Sequence, residues 1–254
     1  MHEALVKDAL GGELIGHVSR DSTAIEARET PAPKPPAGPR PKRRRGRPRK
    51  GEEVEKEPGR LERQSGGMSL EQMLENLPNA CDHGAKRNAR GFLASWRGCK
   101  LHLDTADCGV PVSALLTSAS VHDSQAAIPL AKMTAGRVTS LYDLMDAACD
   151  AKEIHEASKG LGHVPVIDVN PRRDRELKEE MKREARALRA CGLVMPESVR
   201  YRIRSGVERT NARLKDKFGA RHVRVRGHAK VFSHLMFGLL ALTADQLMRL
   251  AVPP

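Results

Sequence analysis

Tyr201-Arg202-Ile203-Arg204-Ser205-Gly206-Val207-Glu208-Arg209-Thr210-Asn211-Ala212-Arg213-Leu214-Lys215 is the stretch from which the rest of the chain can be read. Nothing in it breaks a helix outright, and at about 100° per residue Tyr201, Arg204, Glu208 and Lys215 fall within roughly a 60° arc. One helix face therefore carries an aromatic hydroxyl, a guanidinium, a carboxylate and an ammonium in a line. A carboxylate can hold a divalent cation, while Arg and Lys beside it can hold phosphate oxygens. That combination suits phosphodiester chemistry on DNA. The bland alternative is an amphipathic helix whose charges are simply solvated.

Composition favours the first reading. The 254 residues carry a net charge of +12 and only 3% aromatics, a balance that points to a polyanionic partner such as DNA or RNA rather than a membrane. The charge is unevenly spread: residues 31–60 hold eleven lysines and arginines against four glutamates. That segment is dense in proline and glycine and cannot build a core. Within it, Arg43, Arg44, Arg45, Arg47, Arg49 and Lys50 form a basic tract. Its Arg-Gly-Arg-Pro core resembles an AT-hook, in which arginines enter the narrow minor groove; a sequence-independent phosphate clamp is the competing and slightly favoured reading. Five scattered cysteines without a C-x-x-C pair argue against a zinc site or a disulfide framework. The start of the chain lacks the apolar core of a signal peptide. Val231 to Leu250 is the most apolar run, but His234, Asp245 and Arg249 interrupt it, so it reads as a buried or amphipathic helix.

Outward from these landmarks the chain alternates. A strand is expected over residues 14–27, followed by a disordered insertion over 31–66. A short helix over 68–77 has Ser69 as N-cap and Gln72 three residues on. Strands over 98–105 and 110–118 are joined as a hairpin. Helix 122–133, strand 138–146, helix 152–161, strand 164–169 and a charged helix 172–191 precede a helix over 201–217 and a C-terminal one. This is a mixed α/β progression, divided as 1–30 and 67–254 of one catalytic domain around the basic insertion.

Cutting DNA with metal ions calls for several carboxylates from separate segments that converge on two divalent cations. Glu208 is one candidate. Asp21, in Ser19-Arg20-Asp21-Ser22-Thr23, is another, since a carboxylate in an apolar-flanked strand is costly unless paired or metal-bound. Asp146 follows the apolar run Leu141-Tyr142-Asp143-Leu144-Met145 at a strand end, with Asp143 and Asp150 as rivals. His122-Asp123-Ser124 is no hydrolase triad, because adjacent residues do not converge as a triad must; His122 is expected to cap or pack on the following helix. His102 and Asp104 alternate along one strand face, read as a solvated face in preference to a metal-proximal one.

The gaps that separate Tyr201, Arg204, Glu208 and Lys215 resemble the YREK signature of IS4-like DDE transposases. The phrase around Asp21 resembles the element that carries the first catalytic aspartate of that family. The phrase around Asp146 resembles the second, with Cys149 in place of a tyrosine. Residues 115–124 and 224–230 resemble further phrases of the group, so the likeness runs from Gly16 to Leu250.

The resemblance implies a ribonuclease H-like mixed sheet flanked by helices. It implies Asp21, Asp146 and Glu208 as metal-holding catalytic carboxylates with Mg²⁺ or Mn²⁺, two ions. Tyr201 and Arg204 would hold the phosphate near the reacting ends, and Lys215 a backbone phosphate. The implied reaction is hydrolysis at a transposon end, which in this group can pass through a hairpin, then attack of the 3′-hydroxyl on a second phosphodiester. Double-stranded DNA is the partner, with a homodimer in the DNA complex, in a bacterial cytoplasm close to the nucleoid. Only twenty residues precede Asp21, where related transposases carry an end-recognising region. A shortened chain is therefore expected, the alternative function being an inactive fragment that only binds DNA.

Overall fold

The computed structural model describes residues 1–31, 33, 57–87 and 91–251. The basic tract from Arg43 to Lys50 lies outside the described residues. Helix α1 (His2–Leu10) leads into β1 (Leu14–Glu26), then α2 (Arg60–Ser65), α3 (Leu70–Glu75), β2 (Asp82–Arg87), β3 (Leu93–Ala106) and β4 (Pro111–Ser118). There follow α4 (Asp123–Ala135), β5 (Thr139–Met145), a 3₁₀ turn (Ala147–Cys149), α5 (Lys152–Gly160) and β6 (Val164–Ile167). The chain continues through α6 (Arg175–Ala190), α7 (Pro196–Ile203), α8 (Ser205–Lys217) and α9 (His228–Ala251).

The strands form one mixed sheet in the order β2-β3-β1-β5-β6, with β4 also paired to β3. β3 runs antiparallel to β1, β2 and β4, whereas β5 is parallel to both β1 and β6. An antiparallel meander joined to parallel strands by helical crossovers, with helices on both faces, is a ribonuclease H-like arrangement. The β3–β4 hairpin forms where the turn chemistry put it. Gly109 adopts φ 81°, a conformation only glycine takes readily, and the Ala106 N–H donates to Val110 O at 2.9 Å.

Strand alternation assigns the two faces. Cys99, Leu101 and Leu103 on β3 share a core with Ile25 on β1, Ala114 and Leu116 on β4, and Val207 and Leu214 on α8. Val231, Leu235, Leu239 and Leu242 of α9 complete it, a stripe at helical spacing. By length and composition α9 could cross a membrane, yet that stripe is packed on the sheet. The opposite face receives α4, where Ala127 and Ile128 pack with Met73, Met145, Cys149 and Ile154.

Several expectations are corrected. The insertion ends earlier than residue 66, because α2 begins at Arg60 and ties itself to α4 through Gln64 Nε2, which donates to Gln125 O at 3.0 Å. The single helix expected over 201–217 is two, meeting at Arg204, where Arg204 N–H donates to Tyr201 O and Val207 N–H to Arg204 O in tight i to i+3 bonds. The charged helix starts at Arg175, capped by the Asp174 carboxylate, and not at residue 172. His102 and Asp104 are buried, not solvated. Helix α1 and strand β2 were not anticipated. The Ser69 cap was: Ser69 Oγ accepts from Gln72 N–H and Gln72 Oε1 from Ser69 N–H.

Candidate carboxylate site

The site lies where β5 stops and β1 continues. Pairing between these parallel strands ends at Ser19↔Leu144, so Asp21 projects beyond the last rung and Asp146 is the first residue after β5. Ligand sites in open α/β sheets favour such strand ends. Asp146 caps the 3₁₀ turn, its Oδ1 accepting from Ala148 N–H at 3.1 Å. Asp21 and Asp146 both line a closed cleft with Ser22, His102, Asp123 and Cys149. Its free space is about 10 Å³, room for about one water.

Arg204, at the α7–α8 joint, approaches Asp21 from helix α8's side of the sheet. Its Nη1 lies 3.9 Å from Asp21 Oδ1 and its Nη2 donates to Glu208 Oε1 at 2.7 Å. Burial opposes the Arg204 charge, but Tyr201, Asp21, Glu208 and Asp146 around it keep the guanidinium above the ordinary arginine value. The same guanidinium also sits 5.4 Å from the Tyr201 ring centroid. Burial, and next a hydrogen bond to Asp168, push the Tyr201 hydroxyl up to about 12. Burial raises the Asp21 carboxyl too, with the Asp146 charge adding to it and Lys86 and Arg204 working against it.

Asn211 escaped the sequence reading. Its Nδ2 donates to Asp21 Oδ2 at 3.4 Å, and its Oδ1 is buried with no hydrogen-bond partner. The signal was present, since Asn211 sits three residues past Glu208 on the same side of the helix. It also belongs to the inward stripe of Val207, Thr210 and Leu214, and so looks like core.

The rivals of Asp146 are occupied elsewhere. Asp143 is buried and accepts from Ser158 Oγ at 2.6 Å and lies 3.2 Å from His163 Nδ1. Asp150 accepts from Asn170 N–H at 2.8 Å and pairs with His155. His122 caps α4, its Nδ1 accepting from Ser124 N–H at 3.4 Å. Lys215 stands apart from the carboxylates, nearly two turns along α8.

Among the described residues, no three His, Cys, Asp or Glu groups are grouped closely enough to hold a metal ion. The chemistry of the donor set nevertheless fits a hard cation. Asp21, Asp146 and Glu208 offer carboxylate oxygens from three separate elements, and the cations that act on Asp21 are Lys86 and the Arg204 guanidinium. The fit requires Arg204 to give way.

The mixed sheet flanked by helices, with Asp21 and Asp146 beyond the ends of paired strands, is a ribonuclease H-like framework. The transposase DDE domain family model matches residues 15–244, and the chain belongs to that family. Comparison with curated proteins gives no match, and neither does comparison with solved structures.

Proposed function

We propose that this chain belongs to the IS4-like, YREK-bearing branch of its family and performs divalent-metal-dependent cleavage and strand transfer at the ends of an insertion sequence. What supports this reading is that Asp21, Asp146 and Glu208, from two strand ends and a helix, all act electrostatically on the guanidinium of Arg204. Asp21, Asp146 and Glu208 would hold Mg²⁺ or Mn²⁺, and a pair of such ions supplies activation of the attacking oxygen and stabilisation of the leaving one.

The protein's own part is orientation. Asn211 steadies one oxygen of Asp21. Arg204 turns from the carboxylates to a phosphate oxygen of the DNA, a ligand its fork geometry suits. Burial, and next its hydrogen bond to Asp168, favour the protonated Tyr201 hydroxyl, and on DNA binding that donor would turn to a phosphate oxygen. The attacking groups would be metal-activated water and then the 3′-hydroxyl, a scheme that needs no tyrosyl–DNA intermediate. Arg43, Arg44, Arg45, Arg47, Arg49 and Lys50 would add a phosphate clamp, in a protein acting as a homodimer on double-stranded DNA near the bacterial nucleoid.

The test is nicking of supercoiled plasmid by purified protein with Mn²⁺ or Mg²⁺, beside Asp146→Asn and Glu208→Gln. Nicking should fall by on the order of 10³-fold in each variant while both still bind plasmid. Binding without any nicking by the unmodified chain would sink the enzymatic reading and leave a protein that only binds DNA.

A further inference from the structure

Asp123 lines the same cleft as Asp21 and Asp146, but its bonds run elsewhere. Its Oδ1 accepts from Ser22 Oγ at 2.9 Å and lies 3.0 Å from Lys100 Nζ. Lys100 Nζ also donates to Val121 O at 2.7 Å, which clamps the turn that leads into α4. His102 Nδ1 stands 3.9 Å from the same Asp123 oxygen. Burial opposes the Asp123 charge, but His102, Lys100 and the hydrogen bonds from Lys100 and Ser22 hold its carboxyl below the ordinary aspartate value. One carboxylate thus ties together three elements: α4, which carries it, β3 through Lys100, and β1 through Ser22.

Strand β1 needs such a tie at this point. Its pairing with β5 ends at Ser19, while its pairing with β3 runs on to Glu26. From Arg20 onward the strand has a paired neighbour on one edge only, and Asp21 stands in that stretch. Side chains alternate along a strand, so Arg20 and Ser22 share the α4 face while Asp21 meets Asn211 of α8. Arg20 is bonded to Asp104 through two nitrogens, and Ser22 to Asp123. The residues on either side of Asp21 are therefore anchored on one face, and the backbone that bears its carboxylate is held between them. Asp123 does not depend on Ser22 for its charge balance, because Lys100 supplies that, with both side chains largely buried. What the hydroxyl adds is the link to β1.

We propose that Asp123 is a positioning residue for the carboxylate site: acting through Ser22, it fixes the singly paired end of β1 so that Asp21 keeps its place relative to Asp146. The inference rests on the reading of Asp21 and Asp146 as metal-holding groups. Carboxylates that share a cation must keep their geometry within about 0.5 Å, and groups that orient metal ligands from behind are worth about 10–100-fold in metal affinity or activity. In this role Asp123 touches neither metal nor DNA.

The experiment uses the full chain, titrated with Mn²⁺ by calorimetry and then assayed for Mn²⁺-dependent nicking of supercoiled plasmid. Ser22→Ala removes one hydroxyl and leaves the Lys100–Asp123 pair in place, so its melting temperature without metal should match that of the unmodified chain. Its Mn²⁺ affinity should nevertheless fall about tenfold. Nicking at saturating Mn²⁺ should slow as well, with plasmid binding in EDTA unchanged. Ser22→Thr keeps the hydroxyl and should restore most of both. Asp123→Ala takes away the acceptor and should weaken Mn²⁺ binding at least as much. Combining it with Ser22→Ala should add nothing further, as expected of two residues that act through one bond. Unaltered Mn²⁺ affinity and nicking in Ser22→Ala would overturn this inference alone, and so would losses that multiply in the double variant. Failure of the unmodified chain to bind Mn²⁺ or to nick would overturn it together with the proposed function.

Discussion

Arg20 and Asp21 are neighbours on β1 and point to opposite faces of the sheet, and each enters an arginine–carboxylate group of very different completeness. On the α4 face, Arg20 Nε and Nη2 donate to the two oxygens of Asp104 at 2.8 and 2.6 Å. Thr134 Oγ1 adds a third bond to Asp104 Oδ2 at 2.7 Å. Both side chains are sealed, at 6% and 0% exposure. On the α8 face, Arg204 approaches Asp21 only to 3.9 Å, its other bond goes to the half-exposed Glu208, and its Nε has no partner. The same two chemical groups thus serve two purposes. A saturated, dehydrated pair with no capacity left is structural, while a loose one with orphaned donors and an open side can exchange partners.

The largest effect that sharpens this contrast is on stability. Asp104→Leu leaves the Arg20 guanidinium buried without its carboxylate, a change that costs about 3–5 kcal/mol and lowers the melting temperature by roughly 10 °C. Asp21→Asn, one rung away, should leave the melting temperature within a degree or two and act on nicking instead. Equal melting curves for the two variants would break the distinction between a sealed and an open group.

This contrast also explains what could be read beforehand. β1, β4 and β5 were legible as short apolar runs bounded by turn residues, although β4 is buried along nearly its whole length. Helix α1 was missed although His2, Val6 and Leu10 are buried at i, i+4 and i+8, because nine residues give too short a period to stand out. Strand β2, Asp82 to Arg87, shows no apolar alternation. It exists because β3 offers it an edge, and its Gly84 leaves room for the Trp96 ring that lies against it. The three acidic candidates were readable as residue types. That Asp143 turns to Ser158 and His163 while Asp146 turns to the cleft was not, since it depends on where β5 ends. His102 and Asp104 were misread for the same kind of reason. The partner that permits Asp104 to be buried, Arg20, lies 84 residues away, and no local window contains it.

The next effect is smaller and is read by pH. His102 Nε2 lies 2.9 Å from Thr117 Oγ1, and burial pushes its pKa from 6.5 down to about 4. A histidine depressed in the folded state takes up its proton more readily when unfolded, so stability is full above about 6.5 and declines as the pH falls toward 4. Between pH 7.5 and 5.5 this group should account for about 1 kcal/mol of lost stability. In His102→Gln that share of the decline should disappear from urea-unfolding curves. A decline of the same size in the variant would mean that His102 is not held neutral by the sealed face.

The smallest stability effect is expected on the open side. Arg204→Gln removes the guanidinium from Asp21 and Glu208; the bond to half-exposed Glu208 contributes about 0–1 kcal/mol, and the approach to the mostly buried Asp21 is long, at 3.9 Å. Loss of the cation also frees the Asp21 and Glu208 carboxylates, which then repel one another. Those two consequences make Mn²⁺ a better ligand: binding measured by calorimetry should tighten several-fold, because metal no longer has to displace a resident positive charge. Nicking should nevertheless fall, since Arg204 is also the group that turns to the DNA phosphate. Tighter metal binding with weaker cutting would be hard to explain for an arginine serving only to hold the fold. Unchanged Mn²⁺ affinity would mean that the guanidinium and the metal do not compete for the same carboxylates, and the loose geometry at Arg204 would lose its functional meaning.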